Sequence, residues 1–239
     1  MQLSAYAYTN RGGRDHNEDS LRASAEQGIF VLADGLGGHR CGEVASQAAV
    51  DAIFTGMAQA EALEEASLLD LFRSANEELL RRQAQPGQEE MRTTAVALKL
   101  AGSTAVWAHI GDSRLYRFSN GELAGVTADH SVTYRKFLGG EISYMDVYHD
   151  DDRSRLLRVL GKEPCRPEAG QAAVSPGDAF LLCSDGFWEF VYNEEIQADL
   201  CRARTPEEWA EGMLLRHIRR TPPGSDNFSL ITVFVEACG

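Results

Sequence analysis

Aspartate recurs in this sequence where apolar runs stop. Asp34 follows residues 29–33, Asp112 follows 106–110, Asp185 follows 180–183, and Asp226-Asn227 comes just before 228–235. Asp19 closes the segment Arg14-Asp15-His16-Asn17-Glu18-Asp19. Glycine adjoins three of these acids, in Asp34-Gly35, Gly111-Asp112 and Asp185-Gly186. Glycine lets the backbone turn sharply and approach a ligand closely. A single Asp-Gly pair at a strand end reads first as an ordinary turn; the set, joined to Arg14, is what carries chemical meaning. Strand ends of one sheet can converge on one edge, so acids distant in sequence can meet there. Carboxylates gathered in that way raise one another's pKa and need neutralising. Oxygen donors without a histidine or cysteine partner suit Mg2+ or Mn2+ rather than zinc.

The elements that must position these acids can be read from the periodicity. Apolar, β-branched runs over 28–33, 94–100, 104–110, 114–118, 179–183 and 228–235 end in Gly/Asp turns and predict strands. The stretch 104–118, pinched at Gly111-Asp112-Ser113, predicts a hairpin. Val44, Ala48, Ala52, Ile53 and Met57 keep a helical spacing, as do Leu68, Phe72, Ala75 and Leu79. Thr205-Pro206-Glu207-Glu208 supplies a capping hydroxyl, a first-turn proline and a box glutamate, with Trp209, Met213, Leu214 and Ile218 as the buried stripe of the helix that follows. Two helices in succession, then strands in succession, favour an α+β fold with a mostly antiparallel sheet over alternating βαβ units.

The 239 residues contain no internal repeat or low-complexity tract, which favours one domain over 1–239. A net charge of −13 argues against nucleic acid and anionic membranes as partners. The first residues lack the apolar core of a secretory signal, and no apolar stretch is long enough for a membrane span. The cysteines, Cys41, Cys165, Cys183, Cys201 and Cys238, are odd in number and scattered, which predicts free thiols in a cytoplasmic protein.

Nine segments, in order from residue 14 to 227, resemble the metal-dependent protein phosphatases of the type 2C (PPM) class in their single-domain bacterial form. They are 14–19, the run from Ala33-Asp34-Gly35-Leu36 to His39, Gly42-Glu43, Thr93-Thr94, 109–114, 127–131, 158–161, Ser184-Asp185-Gly186 and Asp226-Asn227. The resemblance implies a four-layer α-β-β-α sandwich, two mostly antiparallel sheets flanked by helices, with a binuclear Mn2+ or Mg2+ centre at one end. It implies that Asp34 bridges both metals, that Asp19 and the Gly35 carbonyl serve one, and that Asp185 and Asp226 serve the other. Asp112 matches a residue tied to a third, weaker metal, and Arg14 is expected to bind the substrate phosphate through its paired guanidinium donors. The reaction implied is hydrolysis of phosphoserine and phosphothreonine in proteins, opposing a bacterial Ser/Thr kinase, by a monomer.

The sequence departs from the family pattern in places. Leu36 stands where many members have a histidine that protonates the leaving alkoxide. His39 is one substitute and a metal-bound water another, while His39 reads equally as a loop hydrogen-bonder. Arg92 replaces a glycine before the Thr-Thr pair, which implies a local backbone change. Residues 133–155 form the variable flap, read as a solvated loop or as a selector of phosphoprotein substrates. Two other functions fit the residues: a hydrolase of small phosphate esters or nucleotides with the same centre, and a phosphoprotein-binding pseudophosphatase. The second sits poorly with the presence of Asp19, Asp34, Asp185 and Asp226. The sequence has no Cys-x5-Arg cradle, no Walker loop and no H-E-x-x-H motif.

Overall fold

The computed structural model of the chain describes residues 1–36, 41–60 and 64–236. His39 and Cys238 lie outside the described residues.

Two antiparallel sheets form the middle of the molecule. The first has the order β1 (Gln2–Asn10), β11 (Phe228–Glu236), β10 (Ala179–Cys183), β7 (Arg114–Ser119), β8 (Glu122–Val126). The second runs β2 (Asp19–Ser24), β3 (Ile29–Leu36), β5 (Ala95–Ala101), β6 (Thr104–Ile110), β9 (Glu168–Ala173), with the short β4 (Arg92–Thr93) beside the end of β3. Helices α1 (Cys41–Gln59) and α2 (Glu65–Gln83) cover the second sheet, and α4 (Asp185–Trp188), α5 (Asn193–Leu200) and α6 (Pro206–Arg220) cover the first. The expected α+β sandwich is the fold observed.

Strand alternation explains the layering. Residues 29–33 of β3 are all buried, because both faces of the strand are covered. Phe30 and Leu32 enter the apolar layer between the sheets with Phe180, Leu182 and Ile231. Ile29, Val31 and Ala33 point the other way, against Ile53 of α1 and Phe72 of α2. On the far side, Leu181, Cys183 and Leu230 pack on Trp209 and Met213 of α6. Each large apolar side chain so buried contributes about 1.5–3 kcal/mol, and the three layers together fix the strand register at the end where the acids lie.

Several expectations need correcting. The stretch 104–118 is not a hairpin: β6 pairs with β5 and β9, whereas β7 pairs with β10 and β8 in the other sheet. The chain crosses between sheets at Gly111, which holds φ +104°, and a Cβ there would sit 2.6 Å from the Thr94 side chain. In α1, Val44 and Ala52 are exposed, and the buried stripe runs through Ala45, Ala49, Ile53 and Met57. In α6, Ile218 is 65% exposed and His217 takes its place in the core, since four-residue steps from Trp209 arrive at 213 and 217. The Thr205 cap is as expected, accepting from the Glu208 amide at 3.1 Å, but the Glu208 carboxylate turns back to the Arg204 amide.

The flap is anchored at several points, while residues 138–141 are exposed as expected of a solvated loop. It contains α3 (Val132–Leu138) and a 3-10 turn, Met145–Tyr148. Its aromatic rings form an edge-to-face series from Phe137 through Tyr144 and Tyr148 to Trp188. Lys136 binds Asp150 and Asp152, and Arg153 pairs with Glu189 at 2.9 Å.

Candidate metal centre

The acids singled out from the sequence come together at one end of the sandwich. Asp19 and Asp34 are direct partners across the β2–β3 ladder. Asp112 stands two residues past the end of β6, Asp185 opens α4 just past β10, and Asp226 stands two residues before β11. Asp34, Asp112, Asp185 and Asp226 line a cavity of about 480 Å3, together with Gly35 and, at its mouth, Arg14. Asp19 is buried behind them, with one carboxylate oxygen accepting from Ser184 Oγ at 2.8 Å.

Local structure holds each acid in place. The Asp34 amide donates to Thr94 Oγ1 at 3.0 Å, and Thr93 Oγ1 donates to the Asp34 carbonyl at 2.7 Å. Gly35 is packed so closely on Gly42 that a Cβ would meet the Gly42 carbonyl oxygen at 2.2 Å, and a Cβ on Gly42 would meet the Glu18 carboxylate at 2.6 Å. Trp188 Nε1 donates to the Asp112 carbonyl at 2.9 Å. The Trp188 ring lies 3.4 Å from the guanidinium of Arg114, itself in a buried two-point pair with Asp129. Asn227 clamps the segment around Arg14: its Nδ2 donates to the Arg11 and His16 carbonyls, and its Oδ1 accepts from the Glu18 amide.

Burial first, and mutual repulsion after it, shift the protonation of this group. Asp19 is raised to about 7 by burial, with Asp185 and Asp226 adding to the effect against hydroxyl bonds from Ser229 and Ser184. Asp34 and Asp112 are pushed well above the carboxylate range, again by burial and then by Asp185, and Asp185 is raised by burial too. A second oxygen of Asp19 is buried with no hydrogen-bond partner. Only oxygen donors face the cavity from these residues. Hard divalent cations fit that set, since they would keep the carboxyls ionised at neutral pH and engage the orphaned oxygen.

Arg14 lies at the mouth in an ion pair with Asp226 at 2.7 Å, both side chains about half exposed. The sequence reading gave no role to Ser184, Asn227 and Trp188, whose hydrogen bonds link segments far apart in the chain. A separate group, His109, His130 and Glu168, has donor atoms within 4.8 Å of one another. There the imidazoles stack at 4.7 Å and the Arg158 guanidinium is already paired with Glu168, so the group is assembled as a packed network.

A helix–sheet–sheet–helix sandwich carrying a cavity of clustered carboxylates with a guanidinium at its rim belongs to the class of proteins built to hold hard cations beside an anionic ester. Residues 9–214 match the sequence model for Protein phosphatase 2C, and the chain belongs to that family. It is 33% identical over 236 residues to the serine/threonine phosphatase Stp of Listeria monocytogenes, covering 94% of this chain and 93% of that relative. The crystal structure of the Mycobacterium tuberculosis serine/threonine phosphatase PstP/Ppp superposes with a TM-score of 0.90 at 31% identity, over 99% of this chain and 100% of that one. A catalytic domain of PstP in complex with two manganese ions gives 0.87 at 30% identity, over 98% and 99% of the two chains.

Proposed function

We propose that this chain hydrolyses phosphoserine and phosphothreonine monoesters in proteins with the help of two Mn2+ or Mg2+ ions held in the acid cavity. The observation that carries this reading is the meeting of Asp34, Asp112, Asp185 and Asp226 in one cavity below Arg14, backed by the buried Asp19. The named relatives are serine/threonine phosphatases, and one was solved with two manganese ions.

Each residue has a task. Asp34 would contribute to both cation sites, with Asp19 and the Gly35 carbonyl completing one and Asp185 and Asp226 the other. Asp112, with Asp185, would offer a third and weaker site. When bound, the cations supply Lewis acidity and an activated water nucleophile. Arg14 exchanges its Asp226 partner for two phosphate oxygens and orients the ester for in-line attack. The flap beside the cavity, which contributes Ser154 to the lining with Leu156 just past its end, meets the polypeptide around the phosphorylated residue. A Ser/Thr kinase as opponent, the cytoplasm as compartment and a monomeric state complete the proposal. No described helix is long and apolar enough to cross a membrane.

Turnover on a phosphothreonine peptide and on nucleotides, each with and without Mn2+, tests this function. We expect metal-dependent phosphate release with the peptide strongly preferred. A preference for nucleotides would favour a small-ester hydrolase, and no release from any substrate would favour a binding protein.

A further inference from the structure

Hydrolysis of a serine or threonine phosphate expels an alkoxide, a much stronger base than the phenolate expelled from an aryl phosphate. The alkyl ester therefore depends on a proton donor at its leaving oxygen far more than the aryl ester does. Around the cavity few side chains can supply that proton. Arg14 does not release its own. The aspartates that would hold cations would be ionised by them, and Asp15 and Glu18, which also line the cavity, carry carboxyls, whose ordinary values of about 4 lie well below that of imidazole. Leu36, on the same wall, has no proton to transfer. The Ser154 hydroxyl is no more acidic than the alcohol being formed. His16 also lines the cavity, and imidazole is the side chain that exchanges protons near neutral pH.

The segment bearing His16 is held in place. Asn227 Nδ2 donates to the His16 carbonyl at 2.9 Å, tying this loop to the residue after Asp226. His16 is exposed, so solvent can reload it after each turnover.

We propose that His16 is the catalytic acid of this chain, a role that rests on the phosphatase function proposed above. As water attacks phosphorus and the phosphorus–oxygen ester bond breaks, the bond's electron pair stays on the seryl or threonyl oxygen. The imidazolium N–H of His16 delivers its proton there, leaving neutral alcohol and neutral imidazole. The proton lost by the attacking water passes to solvent, and the imidazole regains one from solvent.

The test compares the wild-type chain with His16→Ala, His16→Asn and His39→Ala, all in Mn2+, on a phosphothreonine peptide and on p-nitrophenyl phosphate. The ratio of the two kcat values is independent of the fraction of folded protein. We expect it to fall at least about tenfold in both His16 variants. Across a series of aryl phosphates, log kcat should also fall more steeply with leaving-group pKa in these variants. An unchanged ratio in both His16 variants overturns the proposal, as does a fall in His39→Ala alone. Wild-type turnover of the aryl ester without turnover of the peptide would overturn the protein-phosphatase function and this role together.

Discussion

Arg14 and Asp226, 212 residues apart in sequence, meet at 2.7 Å over the mouth of the acid cavity. The pair joins the expected phosphate clamp to an expected metal ligand, so each partner is held by the other. Both are half exposed, and the contact itself is a weak source of stability. Arg14→Ala should raise KM for a phosphothreonine peptide much more than it lowers kcat. The same variant should bind Mn2+ more tightly, by less than about tenfold, since it removes a competing cation from Asp226. Steady-state kinetics and calorimetric titration check the two effects.

The acid cavity should make the metal-free protein sensitive to pH. Burial lifts the Asp19 carboxyl to about 7 in the folded chain, whereas an unfolded aspartate ionises near 3.9. Between those values the folded state binds the extra proton, so its contribution is greatest at acid pH and is lost as pH rises through the window. His130, lowered to about 4 by burial and by the neighbouring His109 and Arg158, acts in the opposite sense, losing stability as pH falls. Asp19→Asn separates the two. Urea unfolding without metal should find it more stable than wild type at pH 8, by roughly 4 kcal/mol at most, with the difference vanishing below pH 4. Saturating Mn2+ at pH 8 should reverse the order.

Asp34 stands at the centre of the cluster, so its loss should reach both cations. Asp34→Asn should lower kcat at least about a hundredfold while leaving the folded state intact and, without metal, more stable. Asp226→Ala should abolish turnover with little change in unfolding, since Asp226 is half exposed. Circular dichroism and thermal melts alongside the kinetics check both variants.

The flap is tied down beside the cavity by the Arg153–Glu189 pair at 2.9 Å. Arg153→Ala should release that end of the flap. The expected result is a several-fold change in KM for phosphopeptides, with turnover of p-nitrophenyl phosphate little affected, read by kinetics on both substrates.

Much of this organisation could be read from residue order. The strands of both sheet centres, the stripe of α2 and the cap of α6 follow from local periodicity and local hydrogen bonding. Asp34, Asp112 and Asp185 could be singled out because each comes just past the end of an apolar run, and Asp226 because it comes just before one. What escaped depends on pairing over distance. Strand β1 joins β11 from the opposite end of the chain, and nothing near Gly111 says whether the chain returns to the same sheet or crosses to the other. His217 was passed over in favour of Ile218 because apolarity alone cannot foresee a buried imidazole held by the Gly186 carbonyl at 2.7 Å and stacked on Phe187. The flap looked like a solvated loop because its anchors, Glu189 and Trp188, lie beyond the segment itself.

The central claim is that Asp19, Asp34, Asp185 and Asp226 hold a pair of hard cations. Anomalous diffraction at the manganese edge from a crystal soaked in Mn2+ tests it most directly. Two peaks in the cavity, one on each side of the Asp34 carboxylate, are the expected result. A cavity without manganese, or manganese bound only at His109, His130 and Glu168, would contradict it.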